Sequence, residues 1–139
     1  MLTTAVAGPG DAAAVAALLR HAGVPAGQYP RAARQVEAVA SRLAGPVPLV
    51  RALLARDGTE LAGVAPFWYL WPVAGLEHAL CVRDMFVHPA WRRRGVALLL
   101  AGGLRDLARA HGCVRIDWLD ERTGPGRTRR YEVLDLPLD

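Results

Sequence analysis

The stretch from Arg83 to His111, RDMFVHPAWRRRGVALLLAGGLRDLARAH, constrains the fold more than any other part of this chain. It reads as a strand, Arg83 to Val87, a short loop, His88 to Arg94, and a helix that begins near Gly95. Within the helix Val96, Leu99, Leu100, Gly103, Leu104, Leu107 and Ala108 recur at helical spacing, while Arg105 and Arg109 fall on another face, so one stripe is suited to pack on a sheet. The first N–H groups of a helix have no partner inside it and point outward along the positive end of the dipole. Three consecutive arginines, Arg92, Arg93 and Arg94, stand beside those amides, and Gly95 lets the backbone turn sharply. Together these features make a cradle for an anion such as a phosphate. The plain alternative is a solvated arginine cluster before an ordinary helix start. Crowding three like charges is unfavourable unless an anion relieves it, which favours the cradle.

The remaining segments supply partners for this unit. Leu2 to Val6 reads as a strand ended by Gly8-Pro9-Gly10, with Asp11 as the N-cap of a helix whose stripe is Val15, Leu18, Leu19 and Ala22. Gly23-Val24-Pro25 ends it, and a second helix from about Pro30 carries Val36, Val39, Ala40 and Leu43 before Gly45-Pro46. Leu49 to Arg56 and Thr59 to about Trp71 are strands joined by Asp57-Gly58, a hairpin signal. Pro66 cannot donate to a ladder, so it demands an edge or a bulge. A loop, Pro72 to Gly75, leads to a long strand, His78 to Val87. After the central helix, stopped by His111-Gly112, come a strand, Cys113 to Leu119, a loop, Glu121 to Gly126, and one or two helical turns over Arg127 to Leu134. Strand, helix, strand around the arginine loop implies a parallel crossover, and the hairpin makes the sheet mixed. The expectation is one domain over residues 1–139 of the α/β (α+β) class, with three layers and helices on both faces of a mixed, mostly antiparallel sheet.

Several functional classes fall away. All 17 basic residues are arginine, so Schiff-base chemistry and the lysine of a phosphate-binding P-loop are absent. Ser41 is the only serine and lies in a helical segment, which leaves no nucleophile elbow. His21, His78, His88 and His111 and the two cysteines show no paired ligand spacing, so no metal is expected. The basic residues are scattered without a reader motif, so no nucleic-acid partner is expected either. Cys81 and Cys113 sit in apolar strand contexts, as reduced buried thiols would. The N-terminal MLTTAVAGPGDAAAV has no charged leader before a long apolar run, and nothing approaches ~20 unbroken apolar residues. A cytoplasmic protein with no membrane partner is expected.

At DMFVHPAWRRRGVALLL the chain resembles the acetyl-CoA signature of the GNAT superfamily of N-acetyltransferases, Arg/Gln-x-x-Gly-x-Gly/Ala at a strand-to-helix turn. Arg92, Gly95 and Ala97 occupy the defined positions, Val87-His88-Pro89 precedes them, and the order of elements also matches. The resemblance implies a GNAT-like α/β/α fold and acetyl-CoA (CoA) as co-substrate. It implies that the pyrophosphate is held around Arg92, Arg93, Arg94, Gly95, Val96, Ala97 and Leu98, and that the pantetheine arm runs along Met85, Phe86 and Val87. An amide chain is a natural partner for an exposed strand edge. The acceptor would be a primary amine of a small molecule or an exposed amino group.

In the family a tyrosine late in the chain protonates the departing thiolate, and Tyr131, in Arg130-Tyr131-Glu132, falls at the corresponding distance. Its alternative is a packing role with the hydroxyl in water. The surrounding pattern departs from the family's, because no asparagine exists in the chain and Arg130 stands where an aromatic is usual. At the position of the acidic pair of diamine acetyltransferases Asp84 is kept but Arg83 stands in place of the other carboxylate, which lowers the case for polyamines. Asp117 and Asp120 are either counter-charges for an ammonium group or ion-pair partners of arginines. Glu77, His78 and Asp84 remain equivalent choices for accepting the amine's proton. The resemblance further implies a terminal two-strand hairpin, for which Leu134 to Asp139 is too short, so the C-terminal strands are expected to be truncated. A homodimer could complete the sheet, and a CoA-binding module without catalysis, serving as regulator or partner, is the alternative reading.

Overall fold

Strand β1 (Leu2–Val6) runs into a 3₁₀ turn, Pro9–Asp11, and then α1 (Ala12–His21). The computed structural model describes residues 1–21, 36–44, 50–71, 78–120 and 128–134, so α2 is seen over Val36–Leu43 and the expected start near Pro30 lies outside the described residues. The loops placed at Pro72 to Gly75 and Glu121 to Gly126, Glu77, and the tail after Leu134 lie outside them too. Asp11 does not cap α1 forward as expected. Its Oδ2 accepts from the Gly8 N–H at 2.8 Å, and its Oδ1 pairs with Arg56 of β2 (Arg51–Asp57).

β2 and β3 (Glu60–Leu70) form the hairpin, with the turn at Gly58-Thr59 because Asp57 still pairs with Glu60. The long strand expected from His78 to Val87 is two strands, β4 (Ala79–Val82) and β5 (Phe86–Val87), both antiparallel to β3. α3 (Val96–Ala110) then crosses over to β6 (Arg115–Asp120), which lies parallel to β4. With a seventh strand, β7 (Thr128–Val133), the sheet order is β1-β2-β3-β4-β6-β7, and β5 is also on β3. Apart from the β4/β6 pair, every described strand pairing is antiparallel.

The helical turns expected over Arg127 to Leu134 are instead β7 (Thr128–Val133), paired antiparallel along the whole of β6 from Asp120↔Thr128 to Arg115↔Val133. Thr128, Tyr131 and Val133 are strand formers, and the open edge of β6 offers them a complete ladder. Thus a strand follows β6 where the expectation had a short helix.

Each face of the sheet has its own core. On one, Leu53, Phe67, Leu80, Val82 and Ile116 meet Val96, Leu100, Leu104 and Ala108 of α3. On the other, Leu54 and Val64 meet Val15, Leu18 and Leu19 of α1 and Val36, Ala40 and Leu43 of α2. Burial of each large aliphatic side chain is worth about 1.5–3 kcal/mol, so the α3 stripe fixes that helix on the sheet. Cys81 and Cys113 are buried, and no disulfide joins them. Among the described residues no helix is long and apolar enough to cross a membrane.

Candidate active site

Two neighbouring strands part in the middle of the sheet. β4 pairs with β6 from Ala79↔Arg115 to Val82↔Trp118, and there the ladder stops. Beyond it β5 stays with β3, at Val64↔Phe86 and Gly63↔Val87, while Leu119 and Asp120 of β6 pair with β7. The side of β5 away from β3 therefore has no strand partner among the described pairings. Three residues, Arg83, Asp84 and Met85, lie between the paired Val82 and Phe86, against only Ala65 and Pro66 on β3. That extra residue is a β-bulge. Pro66, with no N–H to give, stands opposite the bulge, which is how a proline is accommodated in so long a strand.

Met85, Phe86 and Val87 are half-buried along the parted edge. The chain is then tied down by the His88 N–H, which donates to Ala62 O at 2.8 Å, and enters a 3₁₀ turn, Pro89–Trp91. His88 Nδ1 accepts from the Ala90 N–H at 3.1 Å, and its ring lies 5.5 Å from that of His21 at the end of α1. Arg92, Arg93 and Arg94 are all exposed. The Arg94 guanidinium lies 5.1 Å from the Trp91 ring centre, a cation–π contact that holds one charge at the loop. Arg93 has φ 63°, a left-handed conformation uncommon outside glycine, and Gly95, at φ 77°, is the N-cap of α3.

The first backbone bond of α3 runs from the Leu99 N–H to Gly95 O, so the preceding amides of Val96, Ala97 and Leu98 are not used by the helix. Val96 is buried beneath the turn, while Ala97 and Leu98 face outward. Close approach of this helix end to the strands requires Gly63: a Cβ there would stand 2.7 Å from Val96 Cγ1. The strand edge, the loop and the helix end named from the sequence are thus one continuous surface. It can pair with an extended amide chain along β5 and hold an anion at the mouth of α3.

Tyr131 is not on a helix. It is in register with Asp117 on β6, one row behind Trp118. Only its backbone is among the described atoms. Asp117 pairs laterally with Cys81 of β4, is 5% exposed, and accepts from Arg115 Nε at 3.0 Å. His78 is separated from the parting point: it precedes β4 at the closed end of the ladder, with Nδ1 3.1 Å from His111 O and its ring against Tyr69 and Trp71. Asp84 is exposed in the bulge. Sequence reasoning called for an edge or a bulge at Pro66 but did not place the extra residue on the segment opposite it, and it missed β7, which Thr128, Tyr131 and Val133 signal. Among the described residues no group of His, Cys, Asp or Glu could hold a metal.

Comparison with known proteins gives the same architecture. The chain is 35% identical over 86 residues to a thialysine N-epsilon-acetyltransferase of Caenorhabditis elegans; the match spans 62% of this chain and 53% of the relative, about half its length. A ribosomal-protein-alanine N-acetyltransferase from Brucella melitensis biovar Abortus 2308 superposes with a TM-score of 0.71 at 24% identity, covering 89% of this chain and 83% of that one. An aminoglycoside N-acetyltransferase in complex with CoA does so with a TM-score of 0.65 at 16% identity, over 89% and 78% of the two chains. Both structural likenesses are of fold. The acetyltransferase (GNAT) family model matches residues 17–132, nearly all of the sheet and both helical layers, and the chain belongs to that family.

Proposed function

We propose that this protein is an acetyl-CoA-dependent N-acetyltransferase acting on a primary amine of a small molecule or an exposed amino group. The observation that carries the reading is the edge of β5, without a second strand partner among the described residues, leading without a break into the amides at the start of α3 that the helix does not use. On this reading the edge formed by Met85, Phe86 and Val87 pairs with the pantetheine arm. The pyrophosphate lies against Arg92, Arg93 and Arg94 and the amides from Gly95 to Leu98. The arginines supply charge, the amides supply direction, and buried Val96 holds the turn in place.

A neutral amine attacks the thioester carbon, forming the C–N bond, while a strand N–H near the bulge stabilises the developing oxyanion. The C–S bond then breaks, and Tyr131 protonates the leaving thiolate. The amine's proton passes to water and restores the phenol. The relative's activity towards thialysine and the aminoglycoside activity of a structural neighbour support a small amine as acceptor. The buried thiols, joined by no disulfide, support a cytoplasmic setting, and the exposed Val133 on edge strand β7 supports a homodimer, which light scattering checks.

The second reading, a CoA-binding module without turnover, is favoured by one observation: Tyr131 lies on a strand, not at the end of a helix. Thermal shift with acetyl-CoA followed by thiol release over a panel of amines separates the two. Stabilisation with turnover is expected; stabilisation without turnover on any amine selects the module, and no stabilisation removes both. Tyr131→Phe is expected to lower kcat by about 10²-fold or more with cofactor affinity kept. Full activity in that variant removes the tyrosine from the mechanism.

A further inference from the structure

The β4/β6 ladder ends at Val82↔Trp118, and both side chains face α3. Val82 pairs in turn with Phe67, and the two belong to the α3-side core at 2% and 0% exposure. Trp118 packs half-buried against that core, so its indole is braced from behind by a filled row of the sheet. The preceding pair on this face, Leu80↔Ile116, is aliphatic, so the aromatic bulk of β6 is concentrated where the strands part. Beyond Val82↔Trp118 the ladders of β5 and β6 run to different partners, β3 and β7, which leaves a wedge between them with Trp118 at its vertex. Met85 and Val87 pack against the same core and give the β5 side of the wedge an apolar lining.

The direction of β5 decides which end of a bound chain arrives at this vertex. Val87 leads into the arginine loop and the mouth of α3, while Met85 leads back towards Val82. An arm anchored at the mouth of α3 and running along β5 therefore ends at the vertex, and the acyl group is what it carries at that end. Paired strands lie about 4.8 Å apart, and an extended chain laid between two strands needs about twice that spacing. At Val82↔Trp118 the strands are still at the single spacing, so a longer acyl tail has no room in the plane of the sheet past this pair. It would have to leave the plane. On the α1–α2 side the next row back, Cys81 and Asp117, is already covered, at 5% exposure each. On the α3 side the way is closed by the indole. We propose that Trp118 closes the acyl end of the site, admitting acetyl and excluding longer acyl groups, which makes it a specificity-determining residue for the donor.

This assignment rests on the acetyl-CoA reading, and the test keeps the two apart. Affinities of free CoA, acetyl-CoA, butyryl-CoA and hexanoyl-CoA are measured by calorimetry without an acceptor, for the wild type, Trp118→Phe and Trp118→Ala. Thiol release is then followed with one fixed amine. The wild type should bind acetyl-CoA about tenfold or more tighter than either longer acyl-CoA, the discrimination a pocket wall gives against added methylenes. Trp118→Ala should bring butyryl-CoA close to acetyl-CoA in affinity and in turnover, with free CoA, which carries no acyl group, bound as before. Trp118→Phe trims the wall but keeps the packing on Val82, so it should fall between the two and carries the test on its own where the alanine variant does not fold. Equal affinity of the wild type for acetyl-CoA and hexanoyl-CoA overturns the inference alone and needs no variant. Discrimination that persists unchanged in both variants also overturns it, as does a Trp118→Ala loss that falls equally on free CoA and every acyl-CoA, the mark of a structural role. The expected affinities without turnover support the inference and select the module without catalysis. Absence of binding by all four compounds overturns the CoA reading and this inference with it.

Discussion

Gly63 and Val96 touch across the junction of sheet and helix: a Cβ at Gly63 would stand 2.7 Å from Val96 Cγ1, 3.1 Å from Leu100 Cδ1 and 3.2 Å from Phe86 O. The absent side chain on β3 is what lets the N-terminus of α3 come down beside β5. Gly63→Ala is therefore expected to cost about 1–3 kcal/mol of stability, the usual penalty of overpacking. It should also weaken CoA binding, because both the helix end and the strand edge are displaced. Adding Val96→Ala makes room for the new methyl, so the double variant should be more stable than the sum of the single losses. Chemical denaturation and CoA titration of the four proteins in this cycle check both statements.

The N-terminal turn depends on Asp11. Its carboxylate sits below the ordinary range mainly because the Gly8 N–H bonds to it, helped by Arg56 and opposed by partial burial. A carboxyl group whose pKa is lowered by folding contributes stability that is present above its unfolded value and lost as pH falls through the folded one. Unfolding free energy should thus decline as pH drops below the ordinary 3.8. Asp11→Asn, which keeps an acceptor for Gly8 but not the charge, should be less stable at neutral pH and flatter in acid. Asp11→Ala should lose about 1 kcal/mol at pH 7. Urea melts from pH 2 to pH 7 measure these differences.

How far the sequence disclosed this structure follows from the range of the forces involved. The α3 stripe and the turn at Gly95 are local features, and they appear where the periodicity and the glycine put them, whereas the strand before them is broken. The bulge at Arg83 to Met85 is not local, because it depends on Pro66 meeting that segment across the sheet. Proline signalled that something must give, but not on which strand. β7 was misread as one or two helical turns because the strand preference of Thr128, Tyr131 and Val133 becomes decisive only beside the open edge of β6. The arginine loop and the helix start beside it are consecutive residues, so their adjacency was readable. The row formed by Phe67, Val82 and Trp118 comes from three strands, and only the register brings it together.

Stability should fall at high pH as well. Burial, with Cys81 close by, pushes the Cys113 thiol up to about 11 from 9.0. A group whose pKa is raised by folding favours the folded state below its unfolded value, and that advantage is lost as pH rises through the folded one. Unfolding free energy should therefore drop between pH 9 and pH 11, with half-buried Tyr69, also shifted upward, adding to the upper part of the window. Cys113→Ala should flatten the lower part of that curve even though the cavity lowers stability at pH 7. Thermal melts across this range decide the matter, and the native protein at pH 8 should react with thiol reagents far more slowly than after denaturation.

Arg93 separates stability from binding. At φ 63° its backbone occupies the left-handed region, which costs a residue with a Cβ roughly 1 kcal/mol that glycine does not lose. The side chain is exposed and sits between Arg92 and Arg94, so in the free protein it adds like-charge repulsion as well as strain. A fold free of functional demands would gain by replacing it. Arg93→Gly is accordingly expected to raise stability by up to about 1 kcal/mol while weakening CoA binding, with a smaller dependence of the remaining affinity on salt. Arg93→Ala keeps the strain and removes only the charge, so it should show the same loss of affinity with little gain in stability. Denaturant melts combined with CoA titrations at low and high salt distinguish the two variants. If Arg93→Gly binds CoA as well as the wild type, the arginine contributes only strain to this loop, and the charge of the cradle rests on Arg92 and Arg94.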